Sequence, residues 1–228
     1  MGSATPHSTH QSKQPAATAV PSEPGSEPQP QPSPKHAPVF QRLDTCAPAP
    51  YARDEYIRRA LWIVVYAVLV SWVPGRFASW RRFWLRRFGA DLAHTCNIRP
   101  GVRVRHPWLL KMGEYSTLGD NVEVYNLGQL TMGDHTVVSQ NVHLCNGTHD
   151  YTDPSLPLQR PTMTIGSGVW ICADAFVGPG VTIGDNAIVG ARACVMRDVP
   201  AGVIASGNPA KVVRDRPMPA VDQAGTDS

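Results

Sequence analysis

The chain has 228 residues, room for one large domain or two small ones. Its formal net charge of +3 is too mild to argue for a nucleic-acid partner, and no apolar stretch precedes residue 57, so the N-terminus does not read as a secretory signal. Its five cysteines (Cys46, Cys96, Cys145, Cys172 and Cys194) are odd in number and form no C-x-x-C pair, which fits a reducing cytoplasm better than a disulfide framework.

Residues 1–50 hold eleven of the 22 prolines, with Ser, Gln, Ala and Thr and almost no large apolar residues. Such a segment cannot bury enough surface to offset its ordering entropy, so a disordered Pro-rich tail is expected.

Residues 51–91 read as a helical cap. Ala60 to Val73 is a fourteen-residue apolar run with one polar member, closed by Pro74-Gly75. It is short for a membrane span, which needs about twenty residues. Arg76, Arg81, Arg82, Arg86 and Arg87 then interleave with Trp80, Phe83, Trp84 and Phe88. Two compatible readings stand. One is an interfacial segment over 57–88 that touches the inner face of a membrane. The other is a helix that closes the open end of a solenoid.

From Leu92 a six-residue rhythm sets in. Aliphatic residues fall in triplets: Leu92, Ile98, Val104; Met112, Leu118, Val124; Met132, Val138, Leu144; Ile165, Ile171, Val177; Ile183, Val189, Val195. The step is six within a triplet, and eight, eight, twenty-one and six between triplets. Extra residues thus enter only after a third hexapeptide. Four places after each aliphatic between Ile165 and Val195 comes a small or β-branched residue, from Val169 to Val199. Glycine follows the aliphatic in four of those six repeats, and is expected where a turn needs positive φ.

Neither helix nor strand has a period of six. Hexapeptides are the mark of a β-helix, with three to a triangular coil. The predicted fold is therefore an all-β solenoid, a parallel β-helix of about five coils over residues 92–216, roughly 24 Å long. The repeat is expected to stop after Val199, in a Pro/Gly-rich exit, and residues 217–228 to form a second disordered tail.

The largest insertion, 150–164, leaves the coil directly after Asn146-Gly147-Thr148-His149. Long loops in tight repeats are usually functional. His149, at the root of this loop, suits a general base because imidazole titrates near neutrality; a structural turn histidine is the competing reading. His143 and His149 hold equivalent places in successive hexapeptides and so lie on different faces. They should not share a metal ion within one chain, and no metal is expected.

The stretch N-G-T-H-D-Y-T-D-P (146–154), with V-W-I (169–171), P-G-V-T-I-G (179–184) and G-N-P-A-K-V (207–212), resembles the hexapeptide-repeat acyltransferases. The likeness is strongest to the galactoside, maltose and nodulation acetyltransferase branch. Within it, Y-N-L-G (125–128) and H-D-Y-T-D-P are similar to the colanic-acid-type exopolysaccharide acetyltransferases. The resemblance spans residues 56–216.

The resemblance implies a left-handed β-helix, a homotrimer, and acetyl-CoA lying between neighbouring prisms. It places the catalytic histidine on His149 and an acceptor-side asparagine on Asn126. Trp170 would line the pantetheine channel, with backbone groups at Ala173 and Ala191. Lys211 and Arg214 would meet the CoA phosphates; solvated surface charge is the plainer reading of both. Cys172 and Met196 depart from the pattern. Asp150 and Asp153 either bind sugar hydroxyls, orient His149, or cap the loop turn.

The expected activity is acetyl-CoA-dependent O-acetylation of a sugar hydroxyl in exopolysaccharide synthesis. An N-acetyltransferase acting on an amino-sugar nucleotide and a catalytically silent scaffold are the alternatives.

Overall fold

The computed structural model describes residues 40–46 and 51–218, and these belong to one compact unit beginning at Phe40. The tails expected over 1–50 and 217–228 lie mostly outside the described residues.

Strands of two to four residues stack into three faces of parallel ladder, one strand per face per coil. The first face pairs Leu92, Met112, Met132, Ile165 and Ile183 in register. The second pairs Ile98, Leu118, Val138, Ile171 and Val189. The third pairs Val104, Val124, Leu144, Val177 and Val195. These are the fifteen aliphatics of the five triplets. All are buried, and each fully buried side chain of this size contributes roughly 1.5–3 kcal/mol. Insertions enter at the corner between the third and first faces, as the spacing predicts. There they leave every ladder unbroken.

Two details differ from expectation. Glycines after the aliphatic do not carry the positive φ. That conformation falls three residues after the aliphatic, at Asn121, Asn141, Asp174, Asn186 and Arg192 among others. The glycines answer to close approach: a Cβ on Gly184 would stand 2.5 Å from the Ala201 amide nitrogen one coil on. Nor does the solenoid end at Val199. Val199 bridges to Ile183, and Val203–Ser206 pairs with the strand at Ile188–Val189, so a sixth turn is begun on two faces. Lys211–Asp215 then folds back antiparallel on Val203–Ser206 and closes that edge.

The N-terminal end is closed by helix α1 (Arg53–Val65), continued by a π-helical turn at Tyr66–Val70, and by helix α2 (Ala78–Arg87). A solenoid's first coil has strand carbonyls with no coil beneath them to donate an N–H. The cap supplies donors to all three faces. Arg86 donates to the Leu92 carbonyl at 2.5 Å, Arg81 Nε to Ile98 at 2.7 Å, and Trp62 Nε1 to Val104 at 2.7 Å. Arg82 adds a bond to Cys96. Two of the five arginines from Arg76 to Arg87 therefore cap strands, and Arg82 bonds the residue just before one. The capping reading of this segment is the one the contacts carry.

Candidate functional site

His149 stands at the start of a short antiparallel hairpin, Thr148–His149 against Leu158–Gln159, at the insertion corner. Its ring is exposed, and Nδ1 lies 2.6 Å from the Leu156 carbonyl oxygen. A carbonyl only accepts, so Nδ1 carries a proton, and in the neutral ring Nε2 presents the lone pair. Leu156 reaches this place through a left-handed backbone (φ 48°).

Asp150 and Asp153 shape that loop. Asp150 Oδ1 accepts from the Thr152 amide and hydroxyl, at 2.9 and 2.6 Å, and Asp153 Oδ1 accepts from the Ser155 amide and hydroxyl, both at 2.8 Å. The Thr152 hydroxyl, then its amide, hold the Asp150 carboxyl below its ordinary range. Of the roles open to these carboxylates, the turn-capping one is seen directly. The partner of His149 is a backbone carbonyl that sequence reasoning did not single out.

Below the loop, His106, Asn126 and Asn146 occupy one corner in successive coils, all fully buried. Asn126 Oδ1 accepts from the His106 amide at 3.0 Å, and its Nδ2 donates to the His106 carbonyl at 2.7 Å. Asn146 does the same one coil up, accepting from the Gly128 amide and donating to the Gly128 and Gln129 carbonyls. This asparagine ladder roots the chain three residues before His149. The amide of Asn126 is spent on the corner, away from the surface. The twenty-residue spacing of Asn126 and Asn146 is the signal that reveals the ladder.

The other resemblance-derived residues gather elsewhere. Trp170 lies on the second face, 47% exposed, its Nε1 donating to Ser139 Oγ at 3.1 Å. Ala173 and Ala191 stack at the corner after that face, where the Arg192 amide donates to the Ala173 carbonyl. Lys211 and Arg214 are exposed on the strand that extends the second sheet. Cys172 is half-buried, and burial raises its thiol pKa. In a triangular prism, the corner that carries His149 lies opposite the second face. One protomer thus keeps His149 apart from the Trp170, Lys211 and Arg214 side.

A family model described as bacterial transferase hexapeptide (six repeats) matches residues 162–197. The putative colanic acid biosynthesis acetyltransferase WcaF of Escherichia coli (strain K12) is 41% identical over 169 residues, covering 74% of this chain and 93% of that protein. Nodulation protein L of Rhizobium meliloti (strain 1021) is 31% identical over 151 residues, 57% of this chain and 82% of that protein. Among solved structures, a maltose O-acetyltransferase from Clostridium difficile 630 superposes with a TM-score of 0.66 at 22% identity, over 73% of this chain and 90% of that one. A galactoside acetyltransferase in complex with coenzyme A gives 0.66 at 24% identity, over 72% and 83%. The fold is the left-handed β-helix of these neighbours.

Proposed function

The chain belongs to the hexapeptide-repeat acetyltransferase family, and from that premise we propose that it transfers acetyl from acetyl-CoA to a sugar hydroxyl, in surface-polysaccharide synthesis in the cytoplasm, with His149 as general base. The observation that carries this reading is the 2.6 Å contact of His149 Nδ1 with the Leu156 carbonyl, which holds the ring in the tautomer a base requires.

In this mechanism His149 Nε2 takes the proton of the acceptor hydroxyl as its oxygen attacks the thioester carbonyl. The tetrahedral intermediate collapses with loss of the CoA thiolate, and protonated His149 returns its proton to that sulfur. His149 is regenerated and no acyl-enzyme forms.

The residues of the second face fit acetyl-CoA. The Trp170 ring is half exposed and its N–H is already satisfied by Ser139, which leaves an apolar wall for a pantetheine arm. The exposed cations Lys211 and Arg214 suit phosphate groups. Because His149 and this face lie on opposite sides of one prism, the reading requires copies of the chain side by side. Each site then joins His149 of one copy to the second face of the next, and a homotrimer closes three such sites. Asn126 is assigned to holding the corner under the loop.

The test is release of free CoA thiol, and acetylated product, from purified protein with acetyl-CoA and a panel of glycans. His149→Ala should lower turnover about 10²–10⁴-fold. Undiminished turnover in that variant removes His149 as the base. Acetyl found on nitrogen rather than oxygen by mass spectrometry removes the hydroxyl acceptor.

A further inference from the structure

The cap has an outer side that the solenoid does not use. Along α1 and its continuation, Leu61, Val64, Val68 and Trp72 recur every three or four residues and so share one side of the helix. That side is opposite the buried Trp62, Val70 and Val73, and each of the four is 57–70% exposed. On α2, Trp80 and Phe83 are 42% and 54% exposed. The two stripes adjoin, because Trp72 and Trp80 line one groove and Leu61 and Arg87 another. Apolar surface on this scale marks an interaction site rather than ordinary protein surface.

Its chemistry narrows the partner. Both indoles have turned their N–H groups onto the protein, Trp72 to the Val68 carbonyl at 2.6 Å and Trp80 to the Leu69 carbonyl at 2.7 Å. What they offer outward is hydrocarbon. Residues 56–90, which carry both stripes, contain seven arginines and no Asp or Glu, so this part of the cap is strongly cationic. Two such faces brought together repel, which disfavours a second copy as the occupant. The first 39 residues of the chain contain no Leu, Ile, Phe, Tyr or Trp to cover the stripe.

We infer that this face docks on the surface of an anionic lipid bilayer. The stripes sink past the headgroups, and Arg76 and Arg87 at the exposed ends meet lipid phosphates. Binding is peripheral, since no helix among the described residues is long and apolar enough to cross a membrane.

The experiment is flotation of the full chain with vesicles of phosphatidylglycerol and phosphatidylcholine, or of phosphatidylcholine alone, at low and high salt. It needs no acetyl acceptor, so its outcome is independent of the acyltransfer reading. Wild type should float with the anionic vesicles at low salt and be released by high salt. Val68→Glu with Phe83→Glu should lower the bound fraction at least about ten-fold. Arg87→Gln should lower it about five-fold. Circular dichroism and the mass in solution should match wild type for each variant. Failure of wild type to float, or equal flotation of the Glu variant, overturns the inference. A fall in oligomer mass in the Glu variant also overturns it, by showing that the face joins copies of the chain.

Discussion

Glu55 Oε1 lies 3.3 Å from Arg160 Nη1, across 105 residues of sequence. The pair ties the first turn of α1 to the end of the loop that orients His149. The Arg160 guanidinium also stacks on Tyr51 at 4.1 Å. Further out, the Arg42 amide donates to the Pro154 carbonyl at 2.8 Å and Cys46 Sγ to the Ser155 carbonyl at 2.7 Å. The Leu156 carbonyl therefore rests on a loop braced from the N-terminal side.

This bracing predicts a graded response to truncation. Removing residues 1–39 should leave turnover unchanged. Removing 1–50 takes away the contacts of Arg42 and Cys46, and should lower kcat several-fold with little change in KM for acetyl-CoA. Glu55→Gln should act in the same sense, by about 1 kcal/mol or less for a partly exposed pair. Steady-state kinetics of the three proteins decide it. Equal kcat after removal of 1–50 would mean that the hairpin holds His149 unaided.

The cap predicts unequal costs for neighbouring arginines. Arg81 is 2% exposed and donates to four carbonyls, those of Ile98, Val73, Pro74 and Gly75. Arg81→Met strands these acceptors and should cost about 3 kcal/mol or more. Lysine at the same site should not restore stability, because one ammonium cannot span that fork. Arg87→Gln, on the exposed side, should fall within about 0.5 kcal/mol of wild type. Urea unfolding measures both.

His106 predicts a dependence of stability on pH. Its ring is fully buried, Nδ1 donates to the Asn126 carbonyl at 2.8 Å, and Nε2 has no hydrogen-bond partner among the described residues. Burial outweighs the bond to the Asn126 carbonyl and the weaker pull of Glu55, and with Arg59 and Arg160 also opposing the charged form the pKa falls to about 4. The folded pKa lies below the unfolded value. Between pH 6.5 and 4 the unfolded chain therefore takes a proton that the native state refuses, and stability is lost as pH falls. From pH 7 to 5 this group should account for about 2 kcal/mol. In His106→Gln the same pH step should cost less by about that amount, as read from urea midpoints. An unchanged slope would place the acid sensitivity on other groups.

The prism was legible because its core obeys a period. Each inward aliphatic from Leu92 to Val195 could be placed in its ladder by counting sixes, and the insertion corner by counting the excess. What escaped has no period. Arg81 meets Ile98 through a side chain reaching seventeen residues along the sequence to a backbone oxygen. Leu156 acts on His149 by its carbonyl, so its side chain carries no sign of the role. Likeness of motif puts Asn126 near an acceptor, whereas its burial follows from stacking on His106 and beneath Asn146, a relation between coils. The sixth turn was hidden by its prolines and glycines, although Val203 and Ala205 keep the alternation that points them inward.

The separation of His149 from the second face leads to the last prediction. If each site joins His149 of one copy to Lys211 and Arg214 of the next, two inactive variants should rescue each other in mixed assemblies. Lys211→Glu with Arg214→Glu should raise KM for acetyl-CoA, and His149→Ala should lower turnover about 10²–10⁴-fold. In a randomly mixed one-to-one trimer, a site is intact when its histidine comes from the charge variant and its second face from the His149→Ala variant. That occurs for about a quarter of sites, one half multiplied by one half. Co-expressed variants should thus regain about a quarter of wild-type rate at acetyl-CoA below the raised KM, while separately purified variants mixed without subunit exchange should not. If co-expression gives no recovery although mixed trimers are isolated by their two tags, His149 and the second face do not meet across copies.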